Sequence, residues 1–286
     1  MLRRHSPPPS AAAVRRARAL RRPRRNPACS LTAADLRPYQ GNLDGHAAVA
    51  LAGGSPELAW ALVRDWAASP SSDGALAWLA ALGRTGEVDA DAARRDLELA
   101  ASALADTDED LAAARHRVSR AGARLLKEAG RAHRVQFTEA DLDRTVSALA
   151  CVSRAAHPGP WVDLYRGIGE EQADRGLAEA RAGRGVTIPT RAFSSWTDDP
   201  AVARHFAGLG IDQHRQHGAV LHLQVPPAAI LLSHRAGFRL LAERREGEVV
   251  LGLPGVRLTR EEALEVLAPE RRQTFPEIGG RIGGPR

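Results

Sequence analysis

Cysteine, lysine and aromatic residues are all scarce in this chain of 286 residues. The two cysteines, Cys29 and Cys151, are too few for a disulfide framework, and neither has a histidine at metal-ligand spacing. We therefore expect free thiols and a reducing compartment. Aromatic residues make up 4% of the sequence, and Lys127 is the only lysine. The preference for arginine over lysine is explained by a bias in genome composition, so it predicts no function.

Long apolar runs are also missing from the sequence. No stretch approaches the roughly eighteen apolar residues of a membrane-spanning helix. The arginine pairs of the first thirty residues are not followed by the apolar run of a secretory signal. We therefore expect no membrane partner, and either a cytoplasmic location or delivery to a target cell by a route that needs no cleaved signal peptide.

The positive charge of the chain is concentrated at its beginning. The formal net charge is +6, but residues 1–25 contain nine arginines and no acidic residue, so the rest of the chain is mildly acidic. This distribution limits the prediction of nucleic-acid binding to the tail. With Pro7-Pro8-Pro9, the composition also predicts that residues 1–30 are disordered.

Apolar spacing predicts a helical domain over residues 31–157. The segment Thr138-Glu139-Ala140-Asp141 predicts a cap at the start of a helix that reaches about Ala156. In 89–105 and 108–133 apolar residues recur every seven positions. The charged residues between them are expected to form a solvated face. The predicted helices after a loosely helical start are 56–68, 76–82, 89–105, 108–133 and a segment from Thr138 to about Ala156.

A second domain is predicted over 158–268, because Pro158-Gly159-Pro160 cannot continue a helix and the apolar period changes after it. A glycine-rich tail over 269–286 is expected to be flexible. The fold class is therefore α+β. The predicted strands are 162–166, 187–195, 219–225, 229–232, 237–242, 247–252 and 256–258, with helices near 173–183 and at 200–208.

Three short motifs in the second domain carry residues suited to chemistry. Arg166 stands between Tyr165 and Gly167 at the end of an apolar segment. Ser195-Trp196-Thr197 follows Phe193 and leads into a predicted helix. Glu246-Gly247-Glu248 opens an apolar strand. Each motif alone is weak, but their order and their separations of about thirty and fifty residues make the combination stronger.

This combination resembles the arginine–serine–glutamate branch of the mono-ADP-ribosyltransferases, a family of bacterial toxins and vertebrate ecto-enzymes. The resemblance implies a core of two packed mixed or antiparallel sheets over 158–268. It implies a glycosyltransferase activity that moves ADP-ribose from NAD, the co-substrate, onto a protein and releases nicotinamide. In that family, glutamate at the position of Glu246 is found in enzymes that modify arginine side chains, which implies arginine acceptors here.

Arg166 is the candidate for holding the NAD diphosphate, because a planar guanidinium can bind two oxygens at once. By resemblance, the backbone at Gly167 contacts the nicotinamide carboxamide, and Tyr165 belongs to the same cofactor-binding motif. Thr197 keeps the last hydroxyl of the family's serine-threonine-serine motif. Trp196 is a large departure from it at the middle position.

Glu248 is the candidate catalytic carboxylate, since breaking the nicotinamide–ribose bond leaves positive charge on the sugar. The resemblance implies that Ser195 hydrogen-bonds this carboxylate and that Glu246 receives the acceptor's proton. In extended backbone, Glu246 and Glu248 would face the same way at roughly 6–7 Å. No metal is expected, because the leaving nicotinamide is already cationic.

Two further segments lie where the family has functional loops. Phe238 stands in the place of the substrate-recognition loop, and it either contacts the target protein or belongs to the core. Asp212, His214 and His217 lie where the family has its nicotinamide-side loop. Without ligand spacing, they predict a solvated loop and no metal site.

Alternative functions remain open at this point. The acceptor can be water, which would make the protein an NAD glycohydrolase. A different class is a catalytically silent binding module, whose basic tail contacts nucleic acid or an acidic partner. In that interpretation the acidic and basic residues of 243–248 are a charged hairpin loop.

Overall fold

The computed structural model describes residues 29–69, 71–105, 110–208, 218–244, 246–253 and 255–267. The predicted disordered tail, apart from residues 29 and 30, lies outside the described residues. So do the C-terminal tail and the predicted loop around Asp212, His214 and His217. The described residues form helices and two small sheets, which confirms the α+β class. The ADP-ribosyltransferase-like core stays a prediction.

The helices of the first half lie close to their predicted places, and several of them begin at a side-chain cap. Ser55 and Ser72 accept from the N–H groups of Leu58 and Ala75, and Thr138 forms a capping box with Asp141. The helices are α1 (Ala33–Gly41), α2 (Gly45–Ala48), α3 (Pro56–Ala68), α4 (Asp73–Thr85), α5 (Ala90–Ala105), α6 (Leu111–His133) and α7 (Glu139–Ala155).

Short strands and helices alternate in the second half, as the change of apolar period predicts. In order they are β1 (Val162–Ile168), α8 (Glu170–Arg181), β2 (Val186–Ile188), β3 (Ser194–Thr197), α9 (Pro200–Gly208), β4 (Ala219–Val225), β5 (Ile230–Ser233), α10 (Arg239–Arg244), β6 (Glu248–Leu251), β7 (Val256–Leu258) and α11 (Arg260–Leu267). The larger sheet has the order β4-β1-β3-β6-β5, and β2 pairs with β7 in a second sheet. The β3–β6, β5–β6 and β2–β7 pairs are antiparallel.

Two predicted strands are wrong. The run 187–195 is two strands in different sheets, because β2 ends at Ile188 before Pro189, which has no N–H for a ladder bond. Residues 237–242 are not a strand: Gly237 has a φ of 82°, and helix α10 follows from Arg239. The structure also adds α11, which the sequence pattern did not predict.

Packing divides the chain into two compact units that are each discontinuous in sequence. The first comprises residues up to 164, 189–198 and 223–255, and the second comprises 165–188, 199–222 and 256 onward. The proposed division into a helical domain and a catalytic domain stays a prediction about independent folding.

The first unit has one continuous apolar core made by helices and strands together. Leu62, Leu82 and Leu149 from the helices share it with Leu232 and Val250 from β5 and β6. Polar contacts also join α7 to β5: the Arg154 guanidinium donates to the Ile230 carbonyl at 3.0 Å and pairs with buried Glu87 at 2.6 Å. The helical half and strands β5 and β6 are therefore packed as one body in this unit.

The second unit is built around α8. Gly176 of this helix lies close to the side-chain methyl groups of Val186 and Ile188 of β2 and of Leu267 of α11, so these three elements pack tightly at this position. The Arg260 guanidinium donates to the Ala180 carbonyl at 3.3 Å and ties α11 to the end of α8.

The expectation of free thiols is wrong. Cys29 and Cys151 form a disulfide bond that joins residues 122 apart in sequence. Composition did not reveal this pair because only the fold brings the N-terminal segment beside α7. Since disulfides persist mainly in oxidising compartments, the bond also argues against the reducing compartment that the cysteine count predicted.

None of the described helices has both the length and the apolar character needed to cross a membrane. Nor do the described residues bring together three or more histidine, cysteine or acidic side chains in an arrangement able to hold a metal ion.

Candidate functional site

The pairing of β3 with β6 brings the serine and glutamate motifs together. In the antiparallel register Thr197 lies opposite Glu248 and Ser195 lies opposite Val250. Because side chains alternate along a strand, Ser195, Thr197 and Glu248 share one face of the sheet, with Ser195 diagonal to Glu248. The Ser195 hydroxyl donates to Oε1 of Glu248 at 2.8 Å. The expected serine–glutamate contact is therefore present.

Glu248 is a buried carboxylate with two unlike oxygens. Its relative exposure is 6%, whereas Ser195 beside it is exposed to solvent. Oε1 accepts a second hydrogen bond, at 3.0 Å, from the indole N–H of Trp66 on α3. Oε2 is buried and has no hydrogen-bond partner among the described residues. A buried acceptor left in this way is costly, so this oxygen is a candidate acceptor for a donor group of a ligand.

The turn before Glu248 is held by backbone contacts. The Thr197 hydroxyl donates to the Glu246 carbonyl at 2.6 Å, and the Asp198 N–H donates to the Gly247 carbonyl at 3.1 Å. Gly247 has a φ of 58°, in the left-handed region. The chain from Glu246 to Glu248 is therefore not extended, so the strand geometry expected for this pair of acidic residues is wrong.

Asp198 connects this turn to the segment after β5. Its carboxylate accepts from His234 Nε2 at 2.9 Å and from Arg235 Nε at 2.7 Å. Burial acts to raise the pKa of Asp198, but the hydrogen bonds and charges of His234 and Arg235 together outweigh it and lower the pKa below its ordinary value. Asp198 therefore stays ionised and keeps both partners fixed.

A buried polar group lies behind the same segment. His157 Nε2 is paired with the Ser233 hydroxyl at 2.8 Å, and the Ser233 N–H donates to the Ser153 hydroxyl at 3.1 Å. Burial lowers the pKa of His157 to about 4, helped by the positive charge of Arg235. His157 is thus a neutral structural partner that joins the end of α7 to β5.

The segment that leads into β3 is anchored by α5. The Asp96 carboxylate accepts from the Ala192 N–H at 2.6 Å, and burial raises the pKa of this carboxyl. Phe193 is buried with its ring 4.3 Å from that of Trp66. Trp196, the unusual residue of the motif, is also buried, and its indole N–H donates to the Ser194 hydroxyl at 3.1 Å. The large side chain at position 196 is therefore buried on the face of β3 opposite to Ser195.

The arginine motif lies in the second unit. Arg166 is half-buried within β1, which continues to Ile168, so the strand does not end at this residue as predicted. The Tyr165 ring stacks on that of His222, with centroids 4.7 Å apart. A Cβ at Gly167 would lie 2.3 Å from the Ala203 carbonyl oxygen of α9, so the close approach that requires glycine here is that of a helix.

Phe238 is fully buried in the core of the first unit. Its ring lies 5.3 Å from that of His46, and its backbone forms a bridge with Asp44. Of the two roles open from the sequence, this position favours the core over contact with a target protein.

No family model, curated protein or solved structure matches this chain. The site is therefore interpreted from its own residues and from the motif resemblance.

The first unit brings together Ser195, Thr197, Glu246 and Glu248, while Tyr165, Arg166 and Gly167 belong to the second unit. Their convergence around one dinucleotide stays a prediction. Sequence reasoning missed Trp66, which reaches Glu248 across 182 residues. It also missed the interaction of Asp198 with His234 and Arg235. No local pattern marks either contact, since helix periodicity explains Trp66 as an ordinary core residue.

Proposed function

We propose that this chain is an NAD-dependent mono-ADP-ribosyltransferase that modifies arginine side chains of proteins and releases nicotinamide. The observation that carries the proposal is the hydrogen bond from Ser195 to Glu248 across β3 and β6, with Oε2 of the same buried carboxylate left as an acceptor. The motif order of arginine, serine and glutamate supports it.

Each residue has a defined part in the proposed reaction. NAD supplies a ribose whose bond to nicotinamide breaks with the bonding electrons leaving on the cationic ring, which becomes neutral. Glu248 stabilises the positive charge that develops on the sugar and accepts a hydrogen bond from its hydroxyl. Ser195 holds Glu248, and Glu246 takes the proton from the attacking guanidinium. The motif resemblance assigns the diphosphate to Arg166 and further cofactor contacts to Gly167, Tyr165 and Thr197.

Incubation of the purified chain with labelled NAD and a cell lysate tests the proposal. We expect label on protein, located on arginine by mass spectrometry, and a loss of about 100-fold or more in Glu248→Gln, because the lost charge acts mainly in the transition state. Glu243→Gln is the matched control, since Glu243 is an exposed acid five residues earlier. Equal labelling by wild type and Glu248→Gln would refute the assignment of Glu248.

The two alternative functions give different results in the same assay. Nicotinamide release without labelled protein selects NAD hydrolysis. Neither release nor labelling selects a silent binding module. For that case, deletion of residues 1–25 and measurement of the salt dependence of DNA binding separate the tail from the rest of the chain.

A further inference from the structure

Trp66 is an unexpected neighbour of the candidate catalytic carboxylate. It belongs to α3, in the helical half that none of the sequence motifs covers. Its indole N–H donates to Oε1 of Glu248 at 3.0 Å, and the Ser195 hydroxyl donates to the same oxygen at 2.8 Å. Two donors therefore fix one oxygen of the carboxylate, while Oε2 has no partner within the described part of the chain.

The indole of Trp66 is itself held firmly. It is buried, with a relative exposure of 8%, and its ring lies 4.3 Å from that of Phe193 and 6.5 Å from that of Trp78. The end of α3 is also tied to α10, because the Arg244 guanidinium donates to the Ala67 carbonyl. A donor placed on a packed helix can orient a side chain with little loss of entropy on binding.

We infer that Trp66 is a positioning residue for Glu248. Trp66 and Ser195 together select one rotamer of the carboxylate and occupy Oε1, so that Oε2 is the oxygen presented to the ligand. The helical half thus supplies part of the candidate site. The catalytic meaning of this role rests on the proposed function, whereas the pairing of Trp66 with Glu248 does not.

The chain contains a matched control for this inference. Trp78 lies on the neighbouring helix α4, is fully buried, and its ring lies 5.0 Å from that of Phe193. Its indole N–H has no hydrogen-bond partner among the described residues. Replacing either tryptophan by phenylalanine removes similar apolar volume, but only Trp66→Phe removes a donor to Glu248.

A measurement that needs no activity tests the pairing. In 15N–1H spectra, the indole resonances of Trp66 and Trp78 are assigned from Trp66→Phe and Trp78→Phe. Introduction of Glu248→Gln should shift the Trp66 indole signal and leave that of Trp78 in place, because only Trp66 loses a charged acceptor. An unshifted Trp66 signal would overturn the inference even if the enzyme is active.

Steady-state kinetics with NAD tests the role. We expect Trp66→Phe to lower kcat 10- to 100-fold with little change in KM for NAD, and Trp78→Phe to retain kcat within about twofold. An equal loss of kcat in the two variants would show that Trp66 acts only through packing. A higher kcat in Trp66→Phe would show that the hydrogen bond to Glu248 slows the reaction. Either result overturns the inference. If the wild type does not consume NAD, the proposed function fails while the spectra still decide the pairing.

Discussion

Gly247 has a left-handed backbone and lies between the two acidic residues of the candidate site. A Cβ at this position would lie 2.4 Å from Oδ1 of Asp198 and 3.0 Å from the hydroxyl of Thr197. Asp198 cannot easily move away, because it is held by His234 and Arg235. The shape of the turn that presents Glu248 therefore depends on the absence of a side chain here.

Gly247→Ala should destabilise the protein more than Gly86→Ala. Both positions have φ in the left-handed region, at 58° and 74°, so both changes cost about 1 kcal/mol in backbone strain. Only Gly247 adds a clash, worth about 1–3 kcal/mol, since nothing lies within 4 Å of a Cβ at Gly86. Urea unfolding checks this, and equal losses in the two variants would contradict it.

His46 is a buried histidine with both ring nitrogens unpaired within the described residues. Its ring packs against Trp60 and Phe238. Burial lowers the pKa of His46 to about 4, while the charges of Asp44 and Arg239 act in opposite directions on it. The folded protein therefore keeps this ring neutral at pH values where the unfolded chain protonates it.

The protein should lose stability as the pH falls from about 6.5 to about 4. Over this window His46 is protonated in the unfolded state but stays neutral in the folded state. The free energy of unfolding therefore falls by up to about 3 kcal/mol because of His46. His157 acts in the same direction. Urea unfolding at pH 7.5 and 5.0 should show a smaller loss of stability in His46→Phe than in wild type, and an unchanged loss in His116→Gln, whose histidine is exposed on α6. The same loss in wild type and His46→Phe would contradict this account.

At the scale of elements, β1 and α9 approach each other so closely that a side chain at Gly167 has no room. A Cβ there would lie 2.3 Å from the Ala203 carbonyl oxygen and 2.4 Å from the Ala207 nitrogen, both in the backbone of α9. Gly167→Ala should therefore lower the free energy of unfolding by about 1–3 kcal/mol. Gly185→Ala is the control, because its Cβ would make only a 3.5 Å contact. Thermal or urea unfolding of both variants measures this difference. An unchanged free energy of unfolding in Gly167→Ala would contradict the prediction and show that α9 can move away.

Elements with local signals could be predicted from the sequence, and those set by packing could not. The caps at Ser55 and Thr138 and the apolar period between them place the helices of the first half. The prediction of one strand across Pro189 was wrong because it extended the strand through a residue that has no backbone N–H to donate to a neighbouring strand. The segment 237–242 is too short to show a helical period, so its conformation follows from its place beside α3.

The same distinction applies to the site. Ser195 and Glu248 were recognised because each belongs to a motif, and their contact follows from the β3–β6 register. Trp66 was not recognised, because its role arises only when α3 packs beside β6. Long-range contacts of this kind have no signature in one sequence.

At the scale of the whole molecule, the disulfide bond joins the segment before α1 to α7. We expect the protein, unfolded without reductant, to show no free thiol, and two thiols after reduction. Because the bond closes a long loop, Cys29→Ser should lower the free energy of unfolding by about 2–5 kcal/mol. Cys29 is exposed, so this change leaves the core intact, and reduction of the wild type should give the same loss. Two titratable thiols in the unreduced protein would contradict the pairing.

The central claim is that the buried carboxylate of Glu248, held by Ser195 and Trp66, promotes cleavage of the nicotinamide–ribose bond of NAD. The most direct measurement is the rate of nicotinamide release from NAD by the purified wild type, Glu248→Gln and Glu243→Gln. The account predicts release by wild type and Glu243→Gln, and a rate lower by about 100-fold or more in Glu248→Gln. No release by the wild type, or the same rate in Glu248→Gln, would contradict it.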